Sequence, residues 1–305
     1  MSILTSVLTS HRSDIGLDVR PLSTSLAAEV RGVDLADISD ELATELRIAF
    51  ARHQILFFPE LRPTPDQHVT FARLFGPLTR PSSVKPSVDG HPEITEFDSR
   101  ELGEQRAVSG YRERWHVDIT FAVEPPGGAV FHAVEVPAAG GDTYFASTQA
   151  AYDRLSPPWQ RFLDGLVAFH EPGRNILAQA DKYGQPDWEG TSVHDIPRTE
   201  HPVVIAHPVT GRPGIFVNPG FTTGIKGFSE AESRTVLDFL YAHVTQPEHT
   251  VRYRWRNGAV AVWDNRAVWH RRVVDFDELG GATRRVQRVQ LKGDRPTAYA
   301  TGGLV

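Results

Sequence analysis

Apolar positions along the chain recur with two periods, and the switches between them mark out its elements. From Leu17 to Val33 apolar and polar residues alternate, with turn signals near Pro21 and Gly32, which predicts short strands. Ser39 precedes Asp40 and Glu41, and Leu42, Leu46, Ile48, Ala49 and Phe50 follow at helical spacing, the signature of a capped helix. Gln54–Phe58 is a short apolar run ended by Pro59 and reads as a buried strand. Thr64-Pro65-Asp66 opens a second helix that runs through Phe75 and stops at Gly76-Pro77. Further strands are predicted at Ile94–Phe97, Trp115–Phe121, Gly128–Val136, Thr143–Ala146, Pro202–Ala206 and Gly214–Asn218. Three more, Thr250–Trp255, Ala259–Trp263 and Arg284–Leu291, follow a helix over Ser229–His243. Ser147 onward reads as helix, with Leu155, Trp159, Phe162, Leu163 and Leu166 at helical spacings.

Strands dominate both ends while the helices fall in separate groups. That pattern predicts a mainly β protein with flanking helices, a β-sandwich or jelly-roll core, rather than a doubly wound sheet. No GxGxxG or GxxxxGK[ST] segment supports a nucleotide fold. The expected organisation is one catalytic domain over residues 1–305. The turn-rich stretches at about 78–114 and 171–200 are candidate active-site lids.

Composition narrows the chemistry. With 32 basic and 38 acidic residues the formal charge is −6, which argues against a nucleic-acid or anionic-membrane partner. Cysteine is absent, which removes disulfides, thiolate nucleophiles and Cys-type metal sites. Met1–Leu17 holds His11, Arg12 and Asp14 and no long apolar stretch, so it does not read as a secretory signal. No run of apolar residues is long enough to span a membrane. The expectation is a soluble, cytoplasmic protein.

Among 13 histidines, the informative ones sit in constellations. In Trp115-His116-Val117-Asp118-Ile119-Thr120-Phe121, a strand would place His116 and Asp118 on one face amid apolar neighbours. A carboxylate buried there needs a positive partner, and a divalent metal would serve. A third ligand should then come from elsewhere. Trp263-Asp264-Asn265-Arg266-Ala267-Val268-Trp269-His270 reads as a buried strand running into a turn that delivers His270. Two His and one carboxylate suit non-haem Fe(II), but zinc hydrolases use the same residue types. In Thr283–Leu291, Arg284 and Arg288 would share a face, about 13 Å apart along a strand, with Arg285 and Gln287 on the other. Such a pair could hold two anionic groups, or could be a solvated edge. Gly140-Gly141-Asp142-Thr143 alone reads as a turn entering a strand.

Taken together, WHVDITF, GGDT, HPVTG, VNPGFTT, RYRW, AVWDNRAVWH and the RxxxR pair before VQLKGD resemble the taurine/2,4-D dioxygenase family of Fe(II)- and 2-oxoglutarate-dependent oxygenases. These pieces fall in family order over roughly residues 19–296. The resemblance implies a double-stranded β-helix core and iron held by His116, Asp118 and His270. It implies that Arg284, helped by Thr143, pairs with the distal carboxylate of 2-oxoglutarate, with Arg285 the alternative. Arg288 would anchor a substrate anion, and Phe221 would line the substrate pocket. Arg112 stands where taurine dioxygenase has an Asn near the substrate amine, and no histidine is evident in Leu78–Ser83 after the FGPL segment. Taurine is therefore disfavoured. The implied activity is oxidation, chiefly hydroxylation, of a C–H bond in a small anionic substrate, with O2 consumed and succinate and CO2 released. Tailoring of an amino acid or nucleotide by hydroxylation or desaturation is the alternative within the family. A zinc hydrolase or a non-catalytic jelly-roll binding module are the alternatives outside it. Relatives are often dimers or tetramers, so a homodimer or homotetramer is implied.

Overall fold

The computed structural model describes residues 11–12, 17–80, 87–100, 114–173, 176–177, 181, 187–188, 190–273, 275 and 283–300. Its largest sheet has nine strands. They run in the order His11–Arg12, Asp18–Pro21, Ala28–Arg31, Ile55–Phe58, Val260–Asp264, Gly128–Glu135, Arg285–Leu291, His91–Asp98 and Ser87–Val88. All neighbours pair antiparallel except Ala28–Arg31 with Ile55–Phe58. A second sheet of Thr250–Tyr253, Thr143–Ser147 and Val268–Arg272 packs across its inner face. A third centres on Val167–His170, flanked by Thr199–Pro202 and Thr222–Ile225.

The run that looked uniformly apolar, Ile55–Phe58, is buried on both sides because it separates two layers. Leu56 and Phe58 join the packing under the helices, together with Leu42, Leu46 and Phe50. Ile55 and Phe57 point between the sheets, where Phe57 stacks on Tyr253 at 3.7 Å between ring centroids. Val260 and Val262 repeat the first direction; Ala261 and Trp263 repeat the second. The period of two thus sorts one strand's side chains into two cores.

Local chemistry fixes the helices. Ser39 accepts from the Leu42 N–H at the start of Asp40–His53, and left-handed Gln54 closes it by donating to the Phe50 carbonyl. Pro65–Arg73 begins with a reciprocal cap between Thr64 and Gln67. Glu230–Val244 begins with the same device, between Ser229 and Glu232. Among the described residues no helix is long and apolar enough to cross a membrane.

Three sequence expectations change. The helix from Ser147 divides into Thr148–Asp153 and Pro157–Leu163. Pro157 has no N–H to continue the first segment and its ring disfavours helical backbone before it. The strand expected at Ile94–Phe97 extends to His91–Asp98, because Thr95–Asp98 pair with Arg285–Arg288. Part of the stretch at 78–114 is therefore sheet rather than loop. Trp115–Phe121 is not a strand. It makes one bridge, His116 to His270, and then turns.

Close backbone approach at Gly128 tests the pairing of adjacent strands in the large sheet. A Cβ there would lie 2.5 Å from the Trp263 carbonyl oxygen of the neighbouring strand. Gly128→Ala should therefore destabilise the protein by about 1–3 kcal/mol, the usual range for an overpacked interior. A thermal melt unchanged from the parent chain would contradict the packing.

Candidate metal and cosubstrate site

His116 and His270 come together through the backbone. Each donates its N–H to the other's carbonyl, at 3.0 and 2.9 Å, an antiparallel bridge that extends the second sheet by one residue. The imidazole centroids end 4.2 Å apart. His270 lies within the strand Val268–Arg272 rather than on the turn before it. Asp118 arrives by another route. The chain leaves the bridge and folds into a turn in which Ala122 N–H donates to the Ile119 carbonyl. Ile119 adopts φ of 52°, a left-handed conformation that a β-branched side chain rarely takes. This turn, not strand alternation, brings the carboxylate back beside the imidazoles.

Three atoms now converge. Asp118 Oδ1 is 3.9 Å from His116 Nε2 and 3.8 Å from His270 Nε2. The ligand atoms of the three residues all lie within 4.8 Å of one another, and all three residues are buried. His116 Nδ1 donates to the Arg114 carbonyl at 2.9 Å, which leaves Nε2 as the lone-pair nitrogen on the inner side. Burial, reinforced by His116, pushes His270 down to about 3, so it is neutral at ordinary pH and able to donate a lone pair. Two imidazoles and a carboxylate match a divalent metal of intermediate softness.

A cavity opens beside this group. Its walls are mostly apolar, with Phe97, Ile119, Phe131 and Val286 among them, and they carry Thr143, Arg272, Arg284 and Arg288. The alternation along the last strand assigns the arginines. Arg284, Val286 and Arg288 face the cavity. Arg285 and Gln287 face away and meet Glu96 at 3.6 and 2.8 Å. Arg284 is buried, and its Nε donates to the Gly141 carbonyl at 3.3 Å. Gly140 and Gly141 have φ of 77° and 69°, so the GGDT turn needs residues without a Cβ to aim that carbonyl. Thr143 Oγ1 accepts from Trp255 Nε1 at 2.9 Å, which leaves the hydroxyl proton to donate. Arg288 donates from one nitrogen to both Asp118 oxygens, at 3.0 and 2.9 Å.

One expected pocket residue stands apart. Phe221 is 2% exposed and packs edge-on against Phe121, with its ring centroid 6.5 Å from that of His116, and among the described residues it is not part of the cavity wall. Gly220 explains why. A Cβ on it would lie 2.7 Å from His116 Cβ, so this turn is pressed against the histidine. Arg112 lies outside the described residues, as do 101–111 and much of the stretch 171–200.

The motifs HPVTG and WDNR, to which sequence reading assigned no role, meet in a buried ion cluster. Arg266 donates to both Asp264 oxygens at 2.8 and 2.6 Å, and His207 Nε2 donates to Asp264 Oδ2 at 2.9 Å. Burial alone would raise the Asp264 pKa, but the Arg266 charge and these hydrogen bonds outweigh it and hold the carboxyl well below its usual range. The cluster closes the turn from Val260–Asp264 into the strand that carries His270. Trp255, Arg272 and Ile119 are further wall residues that sequence reading did not single out. Trp255 had a signal in the RYRW segment and Ile119 in WHVDITF; Arg272 had none.

The model of the family described as "Taurine catabolism dioxygenase TauD, TfdA family" matches residues 18–290. An "Alpha-ketoglutarate-dependent sulfate ester dioxygenase" from Pseudomonas putida is 36% identical over 92% of this chain and 91% of its own. An "Alkylsulfatase" from Acinetobacter baylyi is 33% identical over 92% and 86%. The crystal structure of a taurine dioxygenase from Burkholderia xenovorans superposes with a TM-score of 0.78 at 35% identity, over 92% and 91% of the two chains.

The ion cluster has a testable acid response. Asp264 is depressed below its unfolded value, so its contribution is fully present above about pH 4 and is lost as pH falls from there toward the folded value. Asp264→Asn should leave a partly buried guanidinium without its counter-charge and cost about 3 kcal/mol, the low end for a broken buried pair. Urea midpoints between pH 3 and 6 should fall with acid in the parent chain and show a smaller fall in the variant; parallel slopes would contradict the assignment.

Proposed function

The chain belongs to the TauD, TfdA dioxygenase family, and on that premise we propose that it binds Fe(II) through His116, Asp118 and His270 and oxidises a small anionic substrate with 2-oxoglutarate and O2. The observation that carries this reading is the joining, on one cavity, of a buried His-Asp-His group with two inward-facing guanidiniums. A hydrolytic metal centre would need the three ligands alone. A cosubstrate with a distant carboxylate needs a cation set back from the metal, and Arg284 with Thr143 supplies one. The overall reaction is R–H + 2-oxoglutarate + O2 → R–OH + succinate + CO2. Iron supplies the redox chemistry that links O2 reduction to decarboxylation and C–H oxidation.

The chain's own residues do the positioning. Arg284 is held by Gly141 and lies 5.6 Å from the centroid of the Phe131 ring. It receives the distal carboxylate of 2-oxoglutarate in a water-poor setting, where a charge-assisted pair is strong. The Thr143 hydroxyl donates to the same group. Arg288 is the substrate anchor. One of its nitrogens is engaged by Asp118, while Nε is buried without a hydrogen-bond partner among the described residues. Its guanidinium lies 5.3 Å from the centroid of the Phe97 ring. The remaining donors suit the tetrahedral oxygens of a sulfate or sulfonate, and the apolar wall suits an alkyl or aryl body. Among the described wall residues Asp118 is the only carboxylate, so no further acid meets a substrate ammonium. Sulfate esters or sulfonates without an amine therefore fit better than taurine, in keeping with the activities named for the Pseudomonas and Acinetobacter relatives.

Substitutions separate these roles. Arg284→Gln should raise KM for 2-oxoglutarate by about 10–100-fold, the effect of losing a charged partner worth about 1.5–3 kcal/mol. Arg288→Gln should act on the sulfate or sulfonate instead, and Arg285→Gln should change neither. An Arg285 effect on 2-oxoglutarate equal to that of Arg284 would overturn the assignment. Medium-chain alkyl sulfates should stimulate succinate formation more than taurine does; a preference for taurine would refute the apolar-body reading.

A further inference from the structure

The turn that presents Asp118 is gripped by polar groups that are not themselves among the residues named as ligands or as cavity wall. Asn218 Nδ2 donates to the Thr120 hydroxyl oxygen at 3.0 Å, and the same hydroxyl is hydrogen-bonded to His170 Nδ1 at 2.9 Å. Thr120, His170 and Asn218 are each fully buried. The next two carbonyls of the turn are held too. Thr199 Oγ1 donates to the Phe121 carbonyl at 2.6 Å and His201 Nε2 to the Ala122 carbonyl at 2.9 Å. Asn218 also reaches the other ligand. Its Oδ1 accepts from the N–H groups of Gly220 and Phe221, both at 3.1 Å, and Gly220 is the residue pressed against His116. One asparagine thus ties the Asp118 turn to the turn at Gly220 that lies against His116.

Packing does not explain a histidine at position 170. Its neighbours are the rings of His201 and Phe216, at 5.2 and 5.9 Å between centroids, and a phenyl ring would fill the same space. Its Nε2 meets no partner among the described residues. A buried, half-satisfied imidazole costs stability unless its one hydrogen bond matters. That bond goes to Thr120.

We propose that Thr120, His170 and Asn218 form a positioning network that sets the angle between Asp118 and His116 and thereby the affinity of the site for its divalent metal. The left-handed Ile119 between Asp118 and Thr120 makes such a brace necessary, because a strained residue persists only where its surroundings over-determine it. The network acts on the ligands through the backbone of the turn, and it rests on the reading of His116, Asp118 and His270 as metal ligands.

The test is Co(II) binding to the metal-free full chain, read by calorimetry and by the visible absorption of the bound ion. Parent chain and His270→Ala come first. Failure of the parent to bind, or equal binding by His270→Ala, would refute the ligand set itself. Given that binding, His170→Phe should keep its thermal stability within a few degrees, weaken Co(II) by about tenfold and shift the absorption envelope, in line with other supports behind metal ligands. His170→Asn, whose amide can occupy the Nδ1 position, should recover most of the loss. Thr120→Val should weaken the metal as His170→Phe does, and the double variant should be no weaker than the worse single one. Unchanged affinity and spectrum in both His170→Phe and Thr120→Val would overturn the proposal, as would strictly additive losses. If His170→Phe does not fold, Thr120→Val and His170→Asn decide the matter by the same two readouts.

Discussion

Two backbone hydrogen bonds between His116 and His270 are the constraint on which the rest of the site depends. They join segments far apart in the sequence at a single pair of residues, and the side chains of an antiparallel pair fall on the same side of the sheet. Without that bridge nothing would hold the loop residue His116 beside the strand that carries His270. With it, the imidazoles are neighbours before any ion arrives, and only the carboxylate has to be delivered by a turn. Much of the surrounding architecture keeps this bridge in place. The Asp264–Arg266–His207 cluster fixes the approach to His270, and Gly220 braces the other face of His116.

The two-layer core does a second job. Because strands such as Ile55–Phe58 and Val260–Asp264 send alternate residues to the helices and to the space between the sheets, the large sheet is rigid on both faces. The last strand uses the same alternation for chemistry. One face of Arg285–Leu291 and the residue before it holds the cavity cations; the other ties Arg285 and Gln287 to Glu96. A slip of one residue would exchange the two sets. The Glu96 contacts on the outer face therefore help secure the register that the inner arginines need.

Much of this was legible in the chain. The capped helices and the QILFF strand follow from spacing and apolar patterning alone; spacing put Arg284 and Arg288 on one face but left their role open, and it marked His116, Asp118 and His270 as candidate ligand types. The resemblance to a known family then selected among chemistries that the residues left open. What was not legible came from long-range contacts. Strand alternation explained the pairing of His116 with Asp118 by the wrong geometry, because nothing local announces a left-handed isoleucine. Phe221 belongs to the right segment but packs on Phe121 and, at 6.5 Å between centroids, on the His116 ring, contacts that no local pattern announces. The buried histidines at 170, 201 and 207 looked like any others, since a histidine's role depends on what reaches it across the fold.

Ile119 links two properties that evolution would find convenient to vary separately. Its backbone sets how the carboxylate of Asp118 is offered, while its side chain forms part of the wall against which a substrate would lie. A change there made to admit a bulkier molecule would also disturb ligand geometry. Diversification of this scaffold should thus leave position 119 comparatively quiet and explore new substrates through wall residues such as Phe97, whose backbone is independent of the ligand turn.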